Sequence, residues 1–230
     1  MIETLQNSAF FGLILTIACF ELATAIKNRL KWPIFNPFLI ATVLIIGVML
    51  LLDMSYDQYS ASAQHLSVLM TPATVCLAVP LYRKLPELRR NLAAVAGGIF
   101  SGVLMNMLVV FLLSRVFSLS HGEYVSMLPK SITTPIGIAL CTEYGGINAI
   151  TVLAILFTGI MGNVMGESLI KLLRIRHSVS RGLAIGTCAH AIGTAKAIEL
   201  GETEGAISGL AIAVTGVITV AAAPFFTNLI

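Results

Sequence analysis

The eight residues Leu128-Pro129-Lys130-Ser131-Ile132-Thr133-Thr134-Pro135 lie within a long apolar stretch, and their reading decides the fold. Proline has no N–H and clashes with the preceding turn, so two prolines and a run of hydroxyls break any helix at membrane depth. The flanking chain is suited to a bilayer: Asn91 to Ser114 carries no charge, and Ile147 to Ile170 carries only Glu167. Each meets the roughly 18-residue length of a membrane span. A broken segment between two such spans reads as a re-entrant hairpin, entering and leaving on one side.

Outward from that stretch the whole chain has the same character. Only 11% of its 230 residues are charged, against about a quarter in ordinary soluble domains. With 57% hydrophobic residues and a mean hydropathy of +0.93, a soluble fold is excluded. The expected class is an all-α integral membrane protein, one polytopic domain over residues 1–230. Apolar segments fall at 8–27, 34–52, 64–82, 91–114, 125–146, 147–170, 182–200 and 204–229. No connection exceeds about 15 residues, which leaves no room for an extramembrane catalytic or nucleic-acid-binding domain. Met1-Ile2-Glu3 lacks the basic start of a signal peptide, so the first segment is expected to be retained.

Eleven of the 14 basic residues fall in three clusters: Lys27, Arg29, Lys31; Arg83, Lys84, Arg89, Arg90; and Lys171, Arg174, Arg176, Arg181. The positive-inside bias places all three in the cytoplasm, against anionic headgroups. The connections holding Asp53 and Asp57, and Glu199, Glu202 and Glu204, then lie outside. This layout predicts seven crossings plus the hairpin, with the N-terminus outside and the C-terminus cytoplasmic. It also predicts an inverted repeat: 34–52, 64–82 and 91–114 against 147–170, 182–200 and 204–229. Each triplet has an interrupted middle member, at Thr71-Pro72-Ala73-Thr74 and at Gly186 to Thr194. Paired interrupted helices point to a midplane binding site of a transporter.

A charge inside a bilayer costs roughly 2.5–3.5 kcal/mol on insertion scales, so an intramembrane ionisable group needs a partner or a purpose. Lys130, beside Ser131, Thr133 and Thr134, forms a donor cluster for a carboxylate, or a structural ion pair. Thr71 and Thr74 belong to the other break. Lys196 is a second cation, with Glu199 three residues on as an alternative partner. His190 lies between Gly186 and Gly193, on one helical face with Thr187 and Thr194 if the helix continues; it reads either as a satisfied core histidine or as a proton relay. Glu21 and Glu167 are candidates for proton coupling, or partners of the neighbouring basic clusters. Asn36-Pro37 opens a span, where Asn36 either caps the helix or offers a polar contact. Four G-x-x-x-G pairs give small packing faces. The four cysteines sit in apolar segments without metal-ligand spacing, and no protease, P-loop or magnesium motif occurs, so neither cofactor nor metal nor enzymatic activity is expected.

Together, Asn36-Pro37, the Thr71–Tyr82 block, Lys130-Ser131-Ile132-Thr133-Thr134-Pro135, Ala189-His190-Ala191-Ile192-Gly193-Thr194-Ala195 and Glu204-Gly205-Ala206 resemble the LrgB/CidB family of bacterial membrane proteins. The likeness runs through nearly the whole chain and implies a bacterial cytoplasmic (inner) membrane protein. It implies one of two roles: an antiholin-like or holin-like modulator of murein hydrolase activity and autolysis, or a secondary transporter of small monocarboxylates such as pyruvate, lactate or glycolate. The plant plastid glycolate/glycerate translocator is similar in its C-terminal half. The resemblance also implies a separate LrgA/CidA-like small membrane partner. The remaining partner expectations are a small carboxylate anion, the lipid bilayer and a homo-oligomer, with no nucleic acid.

Overall fold

A computed structural model describes residues 8–30, 37–69, 72, 76, 82, 83 and 85–230. Every regular element among them is helical, as expected of an all-α membrane protein. The chain divides into two compact units, Met1–Cys76 and Leu77–Ile230.

The first unit holds α1 (Phe11–Leu30), α2 (Pro37–Leu51) and α3 (Tyr56–Val68). Cys19 and Ala23 of α1 pack on Ala41 of α2, with Leu15, Ile40, Leu44 and Ile45 around them. Helix α3 is too polar to face lipid and lies against α1 instead: Gly12 N–H donates to Ser62 Oγ at 3.0 Å, and Thr16 Oγ1 meets Tyr59 OH at 2.8 Å. The acidic connection expected between 52 and 64 is therefore mostly helix, with Asp57 in its first turn where the helix dipole favours an acid. Asn36, Thr71, Thr74 and most of the 64–82 segment fall outside the described residues.

The second unit comprises α4 (Leu85–Arg90), α5 (Leu92–Val116), α6 (His121–Met127), α7 (Thr134–Glu143), α8 (Asn148–Leu172), α9 (Ser178–Leu200) and α10 (Glu202–Thr227). Helices α1, α5, α8 and α10 are long and apolar enough to cross a bilayer; at 1.5 Å per residue, α5 spans about 37 Å. Its buried stripe, Val95, Ile99, Val103, Met107 and Val110, recurs at helical spacing and packs against Leu128, Val179, Ile207 and Ala211.

Residues 121–143 form the expected hairpin, hereafter hairpin 1. Helices α6 and α7 run antiparallel: Gly122 lies under the Gly145 carbonyl, Cys141 Sγ is 3.8 Å from Ser126 Oγ, and Gly137 faces Pro129. Neither helix is long enough to cross.

Residues 178–200 differ from the expectation of a crossing. Helix α9 is continuous only by its hydrogen bonds; at Ala189 (φ −127°, ψ 15°) and His190 (φ 40°, ψ −142°) the backbone leaves helical values. Beyond that point the chain returns along its own path, with Gly193 against Ile185 and Ala197 clustered with Ile185 and Ile170. Both ends of α9 consequently lie at the end of α8: Arg181 donates to the Ile175 carbonyl at 2.9 Å, and Lys196 pairs with Glu167 at 2.8 Å. This is hairpin 2. Each arm, about ten residues long, reaches roughly halfway across a 30 Å hydrocarbon layer.

That fold-back reverses the direction of everything after it. Helix α10 starts beside Arg181, which is 3.8 Å from Glu204, and ends where Arg115 Nη2 donates to the Leu229 carbonyl at 3.0 Å and Tyr124 OH to the Phe226 carbonyl at 2.8 Å. The end of α10 thus lies with Arg115, opposite the 171–181 basic cluster, and not with that cluster as expected. The inverted repeat also takes another form. Helix α5 followed by hairpin 1 matches α8 followed by hairpin 2, the two pairs running in opposite directions. Gly98 and Gly102 of α5 meet Leu183 and Thr187 in rising order, while Gly162 and Gly166 of α8 meet Ala189 and Ile185 in falling order.

Candidate functional site

The tips of the two hairpins meet midway along α5, α8 and α10. At the tip of hairpin 1 the chain from Leu128 to Thr133 leaves the helix because Pro129 and Pro135 bracket it. Ser131 is buried and Lys130 half-buried. Lys130 Nζ donates to Ser131 Oγ at 3.4 Å, Ser131 Oγ donates to Asn106 Oδ1 at 3.3 Å, and Asn106 Nδ2 donates to the Leu128 carbonyl at 3.3 Å. The carboxamide of α5 thereby ties down a carbonyl freed by the break. Helix α7 starts at Thr134, with Pro135 in its first turn and Thr133 as a cap whose hydroxyl does not fold back. The first N–H groups of α7, and the positive end of its dipole, face the tip.

Hairpin 2 turns on His190, which is buried and held in a left-handed conformation rare outside glycine. Its Nε2 lies 2.9 Å from the Ile155 carbonyl of α8. A carbonyl only accepts, so Nε2 carries hydrogen and Nδ1 is the nitrogen that can take up a further proton. Thr194 Oγ1 donates to the His190 carbonyl at 2.9 Å and meets Ser208 Oγ at 2.7 Å, bracing the second arm on α10. Asn163 Nδ2 donates to the Ile192 carbonyl at 2.8 Å. Glycine at 159 admits the imidazole: a methyl there would lie 2.6 Å from His190 Cε1. Ile155 seats both hairpins, its carbonyl on His190 and its side chain against Gly137. Cys188, at the end of the first arm, is an electrostatic neighbour of Lys130.

The structure brings together Lys130, Ser131, Thr133 and Thr134 on one hairpin and His190 and Thr194 on the other. Lys196 lies elsewhere, six residues along the arm from His190 and at its base, 2.8 Å from Glu167 and 3.2 Å from Glu199. Glu167 also accepts from Lys171 at 2.7 Å, so this carboxylate joins α8 to the second arm. Glu21 is exposed on α1 in the other unit. Sequence reasoning passed over Asn106, Asn163, Cys188 and Ser208. A signal existed for the first two: each is the carboxamide in the middle of an apolar span of 25 residues, where a polar group in hydrocarbon needs a partner. They occupy equivalent places in the two halves of the repeat.

The model of the LrgB-like family matches residues 16–229. The "Holin-like protein CidB" of Staphylococcus epidermidis is 36% identical over 219 residues, 95% of each chain. The protein of the same name from Staphylococcus aureus is 34% identical over 211 residues, 92% of each chain, and the "Antiholin-like protein LrgB" of Bacillus subtilis is 33% identical over 224 residues, 97% of each chain. No solved structure matches. Similarity at this level over almost the full length, on a chain with several bilayer-length helices, identifies a multi-pass membrane protein that belongs to the LrgB-like family.

Proposed function

We propose that this chain acts in the bacterial cytoplasmic membrane as a holin-like or antiholin-like protein, the role carried in the names of its relatives and the one those comparisons favour. Modulation of murein hydrolase activity, together with a small LrgA/CidA-like membrane partner, is the corresponding biological role. The geometry supports a finer reading of the molecular act: transport of a small monocarboxylate by alternating access. The observation that carries it is the meeting of two hairpins from opposite sides, each too short to cross and each broken at its tip. Such a pair offers a gate on either side of one central site.

In this reading Lys130 supplies the fixed positive charge, and Ser131, Thr133, Thr134 and the first N–H groups of α7 donate to the carboxylate. His190, with Nε2 anchored on Ile155, presents Nδ1 for a coupling proton. The Glu167–Lys196 pair fastens the second arm and Thr194 braces it. Asn36, Thr71 and Thr74, which lie outside the described residues, and Glu21 are carried as candidate contributors on the sequence alone.

Uptake of labelled pyruvate, lactate and glycolate into proteoliposomes, with and without a pH gradient, tests this reading. Saturable uptake that Lys130→Ala abolishes is expected. Concentration-dependent leakage of unrelated dyes, without saturation and unchanged in Lys130→Ala, would leave the holin-like role without a carrier step.

A further inference from the structure

The base of hairpin 2 contains a second feature, remote from the tips. A cavity of about 460 Å³ opens where α8 ends, lined by Lys171, Arg174, Arg176 and Arg181, with Glu167 on one wall and Leu200 of the second arm on another. Two of its five charged groups are already satisfied by each other, since Lys171 pairs with Glu167 at 2.7 Å. Arg181 is held by the Ile175 carbonyl and lies 3.8 Å from Glu204. Among the described residues, Arg174 and Arg176 have no ion-pair partner, and both are exposed. The cavity is therefore net positive, with two uncommitted guanidiniums at its mouth.

The backbone beneath Arg174 is an independent observation. Helix α8 closes with Ile175 N–H donating to the Ile170 carbonyl at 3.0 Å and Arg174 N–H donating to the Lys171 carbonyl at 3.1 Å, and Ile175 packs back onto Ile170. This closure requires a left-handed residue, a place usually taken by glycine. Arginine occupies it at φ 55°. A long β-carbon-bearing cation in a conformation that favours glycine implies that its side chain is wanted there.

The surroundings indicate the ligand. The cavity sits at the end of a bilayer-length helix, and Leu169, Leu172 and Leu173 beside it are all exposed apolar side chains. A soluble anion would have no use for that apolar shoulder, whereas a phospholipid would lay acyl chains on it with its phosphate among the arginines. Guanidinium groups match phosphate oxygens in pairs, and basic pockets between membrane helices are a recurring form of headgroup site.

We propose that this cavity binds the headgroup of an anionic phospholipid, one lipid per chain, bridging the end of α8 to both arms of hairpin 2. The site is independent of the transport reading, since it requires only that the chain span a membrane.

The test is native mass spectrometry of the full chain in detergent with phosphatidylglycerol or phosphatidylcholine, beside thermal unfolding with the same additions and with inorganic phosphate. Wild type is expected to retain phosphatidylglycerol over phosphatidylcholine and to unfold at higher temperature with it, while inorganic phosphate has no such effect. Arg174→Gly with Arg176→Gln should lower phosphatidylglycerol affinity roughly tenfold or more, as two lost cations near an anionic surface predict. Glycine suits the left-handed backbone at 174, so loss of binding with unfolding temperature retained separates a missing ligand from a misfolded chain. Arg176→Gln alone, at an exposed loop position, should move affinity in the same direction. Arg29→Gln, an exposed cation on α1, should leave it unchanged. Undiminished retention in the double variant, an equal shift with inorganic phosphate, or an equal loss in Arg29→Gln would each overturn the proposal.

Discussion

The two hairpins have the same outline and are fastened at their bases by different physics. Hairpin 1 is fastened to α8 at its base by neutral hydrogen bonds: Ser126, fully buried, accepts from Ile147 N–H at 2.6 Å and donates within α6 to the Gly122 carbonyl at 2.5 Å, while Thr151 Oγ1 donates to the Ser126 carbonyl at 2.9 Å. Hairpin 2 has its neutral buried bonds toward the tip, His190 to Ile155 and Thr194 to Ser208, and is fastened at its base by ion pairs, Lys196 to Glu167 on α8 and Arg181 to Glu204 on α10. Buried neutral bonds are insensitive to ionic strength, and losing one strands its partner away from water. A partly exposed pair such as Lys196–Glu167 is weak, screened by salt and readily exchanged, whereas Arg181–Glu204, with its carboxylate buried, is screened less. The contrast casts hairpin 1 as the fixed wall of the site and hairpin 2 as the arm that moves.

The largest expected effect comes from attacking the fixed wall. Ser126→Ala removes the acceptor of Ile147 N–H and the donor to Gly122 together. An unsatisfied buried polar group costs about 1–3 kcal/mol, so thermal unfolding of the purified chain should shift clearly downward, with no dependence on salt. A shift below about 0.5 kcal/mol would mean that hairpin 1 is as loosely held as its counterpart.

Much of this architecture was legible in the sequence, because proline writes its effect plainly. Pro129 and Pro135 announced hairpin 1, and the structure places its tip between them. Hairpin 2 was legible only as an interruption. Gly186 and Gly193 marked the neighbourhood, but the reversal depends on one residue, His190, whose left-handed conformation no propensity rule predicts. Treating 182–200 as a crossing then inverted the sidedness of everything downstream. The lesson is arithmetic: every segment read as crossing flips the next, so one missed fold-back moves the end of α10 to the opposite face. Lys130 and His190 could be singled out because polar groups are scarce in apolar segments. Asn106 and Asn163 met the same criterion and were overlooked because they carry no charge.

A smaller effect is expected from loosening the moving arm. Glu167→Gln removes the carboxylate that holds both Lys171 and Lys196. The group is about one-third exposed, so the contribution, discounted for screening, is about 0.5–1 kcal/mol. That corresponds to roughly a two- to fivefold rise in the open population of hairpin 2. Hydrogen exchange should quicken by that factor at the amides of 193–200 and stay unchanged at 137–143. Wild type in about 1 M salt, where the Debye length is about 3 Å, should move in the same direction. Equal acceleration in both hairpins would erase the distinction drawn between them.

The smallest effect tests whether hairpin 1 has any charge-dependent element at all. Its outer end begins with a capping box: Ser120 Oγ accepts from Glu123 N–H while the Glu123 carboxylate accepts from Ser120 N–H at 2.8 Å and from its hydroxyl at 2.7 Å. The Ser120 hydroxyl, and then its N–H, hold the Glu123 carboxyl below its usual range. A carboxyl depressed in the folded state contributes stability that is fully present above its ordinary titration range and is lost as pH falls through the folded value. Hairpin 1 should therefore keep this contribution at neutral and mildly acidic pH and lose it only in stronger acid. Ser120→Ala removes the hydroxyl bond, so the carboxyl, followed by carbon-13 chemical shift, should titrate closer to the ordinary range of about 4.3. Because Glu123 lies at the end of α6 away from the tip and is partly exposed, Lys130 should not respond, and uptake should be unchanged. Altered uptake in Ser120→Ala would mean that the outer end of hairpin 1 is mechanically coupled to the site, and hairpin 1 would then have to be treated as a second moving arm.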